Sequence, residues 1–189
     1  TGYTESSDFP TSTGAFDRTL NGNSDGFLVK LSPDGNGAND LVYSTFIGGS
    51  SGENMSGLAI NSEGAAYLTG NTSSIDFPVT PGAFDSSLGG IYDGFILKVN
   101  PAGSALDYGT YLGGSSNADG TTDIAIDATG AAYVTGFNRS SDFPTTEGAF
   151  DRSLDSNGDG FVTKLNSTGS GLVYSTYIGG TDGWESGSS

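Results

Sequence analysis

Apolar and polar positions fall into short runs closed by glycine, and the same runs recur along the chain. Leu41-Val-Tyr-Ser-Thr-Phe-Ile47, Leu106-Asp-Tyr-Gly-Thr-Tyr-Leu112 and Leu172-Val-Tyr-Ser-Thr-Tyr-Ile178 each end in a Gly-Gly pair. These runs are apolar or aromatic on both faces, as strands held between neighbouring sheets are. A second run precedes each of them: Asp25-Gly-Phe-Leu-Val-Lys-Leu31, Asp93-Gly-Phe-Ile-Leu-Lys-Val99 and Asp159-Gly-Phe-Val-Thr-Lys-Leu165. Further upstream, Thr121–Asp127 alternates small and apolar residues, turns through Ala128-Thr-Gly130 and returns as Ala131-Ala-Tyr-Val-Thr-Gly136. That pattern predicts a β-hairpin with Gly130 at the position needing positive φ. Gly57–Ile60, Ser62-Glu-Gly64 and Ala65–Gly70 form its counterpart.

The set repeats with a period of about 66–68 residues, marked by the Asp-Phe-Pro phenylalanines Phe9, Phe77 and Phe143. A fixed period of this size means an array of one supersecondary unit. The expected division is a partial unit over 1–52 lacking its first strand, a unit over 53–117, and a unit plus C-terminal tail over 118–189. Between the second and third strands of each unit lies a connection of about twenty residues, long enough that it is expected to be structured. Thr146–Leu154 predicts one or two helical turns, with Thr146 as N-cap, Glu147 first in the helix, and Phe150 and Leu154 an inward-facing i, i+4 pair. Pro81 occupies the Glu147 position in the middle copy, where a helix start favours proline. Phe84 with Leu88, and Phe16 with Leu20, repeat the pair.

Four antiparallel strands per period is the layout of a propeller blade. Asp-Gly-Phe-x-x-Lys-Leu, Leu-Val-Tyr-Ser-Thr-Tyr-Ile-Gly-Gly, Ala-Ala-Tyr-Val-Thr-Gly and Asp-Phe-Pro-Thr-Thr-x-Gly-Ala-Phe together resemble the SBBP-type β-propeller repeat, over nearly the whole chain. That repeat is found in large secreted and cell-surface proteins of bacteria and archaea. The resemblance implies an all-β fold of tandem four-stranded antiparallel blades, about three with the first incomplete, and an extracellular or cell-surface location. It does not imply an activity, since function cannot be taken from a fold.

Composition narrows the chemistry. With no Cys and no His, thiol nucleophiles, imidazole bases and Ser-His-Asp triads are excluded within the chain. A formal net charge of −16 repels nucleic acid and anionic membranes and attracts divalent cations. No stretch approaches the length of a membrane-spanning helix. The chain opens at Thr1-Gly-Tyr, which matches the middle of a repeat, and three blades are too few to close a propeller. The expected partners are therefore other blades, of the same or identical chains, joined head to tail into a ring or filament.

One loop suggests a metal. Asp155-Ser-Asn-Gly-Asp-Gly160 fits the start of a calcium loop, with Asp155, Asn157 and Asp159 as oxygen donors. Asn21, Asn23 and Asp25 form a weaker copy. The twelfth position of the loop is Asn166, so it is no EF-hand, and an acidic turn with Asp159 bonding nearby backbone is the plainer reading. Lys30, Lys98 and Lys164 recur once per unit and read as strand lysines paired with acidic neighbours. Carboxylates recur in every copy (Asp8, Asp76, Asp142; Asp17, Asp85, Asp151), which indicates scaffold and not a catalytic pair, because a catalytic pair should be singular. Trp184 is a lone tryptophan, either a contact anchor or a cover for the last blade. N-x-Ser/Thr sequons at Asn54, Asn71, Asn138 and Asn166 are no more frequent than this composition produces by chance. The reading that results is a non-catalytic structural, adhesive or assembly segment. A glycan- or protein-binding propeller is the alternative, and a glycan-cleaving enzyme comes last.

Overall fold

The computed structural model describes residues 1–32, 35, 37–155 and 157–188. The chain is all-β, with three antiparallel sheets in which neighbours in sequence are neighbours in space. The first sheet holds β1 (Gly2–Thr4), β2 (Asp25–Leu31) and β3 (Leu41–Ile47). The second holds β4 (Glu53–Ile60), β5 (Ala66–Thr72), β6 (Asp93–Val99) and β7 (Leu106–Leu112). The third holds β8 (Gly120–Ile126), β9 (Ala132–Asn138), β10 (Asp159–Leu165) and β11 (Leu172–Ile178). Helix among the described residues is confined to a short 3-10 segment, Gly37–Asp40. The hairpins turn as their sequence requires: Gly64 and Gly130 take φ of 86° and 79°, and their N–H groups donate to the carbonyls of Asn61 and Asp127.

The sheets stack face to face through two cores. Leu28, Tyr43 and Ile47 of the first sheet meet Leu68, Phe95, Leu97 and Val99 of the second. Tyr67, Ile96, Tyr108 and Leu112, on the opposite face of that second sheet, meet Val134, Phe161 and Leu165 of the third. This is why β6 is apolar on both sides between Asp93 and Lys98: Phe95, Leu97 and Val99 point one way, Ile96 the other. Tyr67, Tyr111, Tyr177, Phe46, Phe95 and Phe161 are among the largest fully buried side chains, and each buried ring contributes on the order of 2 kcal/mol.

The long connections are pinned, but not as helices. Thr146, Glu147, Gly148 and Ala149 form a β-turn, with the Ala149 N–H donating to the Thr146 carbonyl and Gly148 at φ 76°. Positive φ at the third residue marks a type II turn, whose second position also favours proline. Pro81, Gly14 and Gly82 fit that turn too, and both glycines have φ 81°. Signals that match a helix start therefore serve a turn, and Phe150 and Leu154 do not form an inward i, i+4 pair. Phe150 is 82 % exposed, whereas Phe143 is buried against Phe161 (4.5 Å between centroids) and Tyr177 (6.0 Å). The connection runs beside the last strand of its sheet. Thr146 N–H donates to the Ser175 carbonyl and Tyr177 N–H to the Asp151 carbonyl, and Thr80/Gly109 and Tyr111/Asp85 repeat this. A strand edge that would otherwise template aggregation is thereby covered.

Candidate functional site

The candidate calcium loops divide their oxygen donors between surface and interior. Asp155 and Asn157 are exposed, as are Asn21 and Asn23, while Asp159 and Asp25 are buried. Each buried aspartate accepts the backbone N–H four residues before it: Asp155 to Asp159 at 3.1 Å, Asn21 to Asp25 at 3.0 Å, and Gly89 to Asp93 at 2.7 Å. Asn21 turns its amide onto Asp17 (2.6 Å). Among the described residues no group of three acids could hold a metal ion.

Asp25 and Asp93 face a second acid on the next repeat, Glu53 and Asp119, and Glu185 of the C-terminal tail takes the corresponding backbone place beside Gly158. Glu53 N–H donates to the Ser24 carbonyl (3.1 Å), Asp119 N–H to Tyr92 (3.1 Å) and Glu185 N–H to Gly158 (3.2 Å). Each of these bonds sets an acid beside the residue preceding Asp25, Asp93 or Asp159. Asp25 Oδ1 and Glu53 Oε2 both lie 2.6 Å from where a Cβ on Gly48 would sit, so only glycine fits between them. Burial pushes the Asp25 and Glu53 carboxyls up, and the Asp25 charge adds repulsion at Glu53. Asp93 is pushed up to about 6, chiefly by burial, with Asp119 and Asp85 adding repulsion. Sequence reasoning missed Glu53, Asp119 and Glu185. The available signal was an acid five or six residues beyond the first glycine of each Gly-Gly pair.

Three further contacts recur at each seam between sheets. Phe16 N–H donates to the Gly103 carbonyl and Phe84 N–H to Gly169, both at 2.9 Å. The rings of Tyr43 and Tyr108 lie so close to Gly103 and Gly169 that an added Cβ would fall within 2.5 Å of ring carbon. Ser50 N–H donates to Asp76 (2.8 Å) and Ser115 N–H to Asp142 (2.9 Å), which holds both carboxyls below their ordinary range. The third copies of these groups are open. Tyr174 is 37 % exposed where Tyr108 is 2 %, and Ile178 is 47 % exposed where Leu112 is 1 %. At the other end Leu31 is exposed where Val99 is buried, Gly35 has no described residue near its Cβ position, and Asp8 is exposed.

Other candidates are absorbed by the fold. Lys98 pairs with Asp107 (3.0 Å) and Lys164 with Asp127 (2.9 Å), as strand lysines should. Trp184 stacks near Phe137 (5.8 Å) and leans on Gly158, remaining half exposed. Asn138 is buried, which removes it as a glycosylation acceptor in the folded chain, whereas Asn54 is exposed. A groove of about 520 Å³ lies between the Asn61–Gly64 and Asp127–Gly130 turns. Its one aromatic, Tyr67, is buried and offers no stacking face. Asp127 there is occupied by Thr129 and Lys164, which hold its carboxyl well below the usual range, the opposite of what a general acid needs. No helix among the described residues is long and apolar enough to cross a membrane.

No family model matches the chain, and no match is found among curated proteins. The likeness to the SBBP-type repeat rests on the residues quoted for it.

Proposed function

We propose that this chain is a non-catalytic structural segment of an extracellular or cell-surface repeat array, built from propeller-type blades. It assembles by placing the open face of its third sheet on the first sheet of another copy. The observation that carries the reading is that the outer face of the third sheet repeats, position for position, a face that is covered twice inside the chain. Phe150, Tyr174 and Ile178 correspond to Phe84, Tyr108 and Leu112, which are covered by the next sheet. Gly35, Leu31 and Asp8 correspond to the groups that do the covering. Such a contact is heterologous, and it closes into a ring or extends into a filament according to its rotation.

Light scattering and negative-stain microscopy over a concentration series test this. Wild type should form rings or linear particles whose mass rises with concentration. Phe150→Glu and Tyr174→Glu should leave a folded monomer with an unchanged far-ultraviolet spectrum. A compact, cooperatively unfolding wild-type monomer at every concentration overturns the proposal.

A further inference from the structure

The two internal seams dress their buried acids differently. At the first, Glu53 Oε1 accepts hydroxyl bonds from Thr72 and Ser74, both 2.6 Å, and Oε2 accepts the Gly49 N–H (3.1 Å). Asp25 accepts Asn21 and Gly22 N–H groups, one on each oxygen. Every carboxylate oxygen of that pair has a donor.

At the second seam Asn138 stands where Thr72 stands in the preceding repeat. Its Nδ2 donates to Asp119 Oδ1 (3.1 Å), which also takes the Arg139 N–H (2.8 Å), while Asp119 Oδ2 takes Gly114 N–H (2.7 Å). That orientation turns the amide oxygen away from the donors. Asn138 Oδ1 and Asp93 Oδ1 are both buried without a hydrogen-bond partner, on side chains that are 0 % exposed. Asp93 Oδ1 lies 2.4 Å from where a Cβ on Gly113 would sit, and the next residue, Gly114, binds Asp119. Asn138 Oδ1, stripped of water, has no donor, and Asp93, met by the Gly89 N–H and only loosely by that of Gly90, stays under-satisfied at Oδ1; such oxygens are costly to bury unless something positive meets them. A groove of about 320 Å³ lined by Asp85, Gly89, Gly113, Gly114 and Asp142 opens on the same loop, giving a cation an acidic approach.

We infer that the second seam is a binding site for a hard divalent cation of calcium's class, with Asp93, Asp119 and Asn138 Oδ1 as its protein oxygens. Carboxylate and amide oxygens are the donors such a cation selects, and water or loop carbonyls complete its shell. The ion would join two repeats, because Asp93 belongs to the second sheet, while Asp119 leads into the third sheet and Asn138 lies within it. This inference is independent of end-to-end assembly.

Calorimetric titration of calcium chloride into the chelator-treated full chain, with melting curves in parallel, tests it at concentrations where the chain is monomeric. The expected result is saturable binding at this seam and a higher Tm with calcium. Asn138→Thr, which copies the first seam and should fold, is expected to weaken binding at least tenfold, and Asp93→Asn to abolish it. Absence of heat and of any Tm shift at millimolar calcium overturns the inference. So does binding that survives both substitutions, or a calcium-indifferent chain that Asp93→Asn stabilises, which would mean that the seam holds a proton instead.

Discussion

The second and third sheets are built from nearly the same residues, yet one is covered on both faces and the other on only one. Tyr67 and Tyr108 are buried, and their counterparts Tyr133 and Tyr174 are more than a third exposed. Sequence position alone therefore does not decide whether a residue belongs to the core; the presence of a next sheet does. The sharpest test uses two phenylalanines of a single connection. Phe143→Ala should cost about 3–5 kcal/mol, because it empties a ring-lined site inside the third unit. Phe150→Ala should change monomer stability by less than about 0.5 kcal/mol, while weakening association between chains. Denaturant melts of the two variants at micromolar concentration decide this, and equal losses would erase the distinction.

A smaller effect is the pH response of the first seam. Asp25 and Glu53 bind their protons more tightly when folded than when unfolded, since burial raises both. Unfolding then releases protons, so their contribution is most favourable below the ordinary carboxylate range and is lost as pH rises through the raised values. Stability measured from pH 4 to pH 8 should fall across that window, and Glu53→Gln should make the fall shallower. An unchanged slope in the variant would show that this pair does not titrate as described.

The smallest predicted change concerns the turn. Glu147→Pro should stabilise by about 0.4–1 kcal/mol, because Pro81 already fills the equivalent place and the backbone needs no adjustment. Thermal melts of the single variant check it, and a lower Tm would mean that the two turns differ.

Strands, hairpins and period were legible because each is written locally, in alternation and in glycine placement, and is repeated. The turn at Thr146–Ala149 was misread because Thr, Pro and Gly punctuate helix starts and type II turns alike. Only the hydrogen bond closing at three residues, with no continuation, separates them. Bulges after Met55 and Thr121, which shift the register of β4 and β8, left no mark in the hydrophobic pattern. The acid pairs were half legible. Asp25, Asp93 and Asp159 stand out in a fixed motif, but Glu53, Asp119 and Glu185 vary in type and spacing, and nothing local says that they meet the aspartate of the sheet before. Contacts across a stacking seam depend on the rotation between sheets, which no single repeat encodes.

The two cores share no residue between the first and third sheets: every buried member belongs either to sheets one and two or to sheets two and three. The molecule is in that sense a one-dimensional lattice, whose free energy is a sum over sheets and over the joints between neighbours. Lengthening it by one unit adds one sheet and one joint, so stability per residue climbs with length and then levels off. Melting in such a lattice begins at its termini and moves inward, with the middle sheet, held by two joints, the last to go.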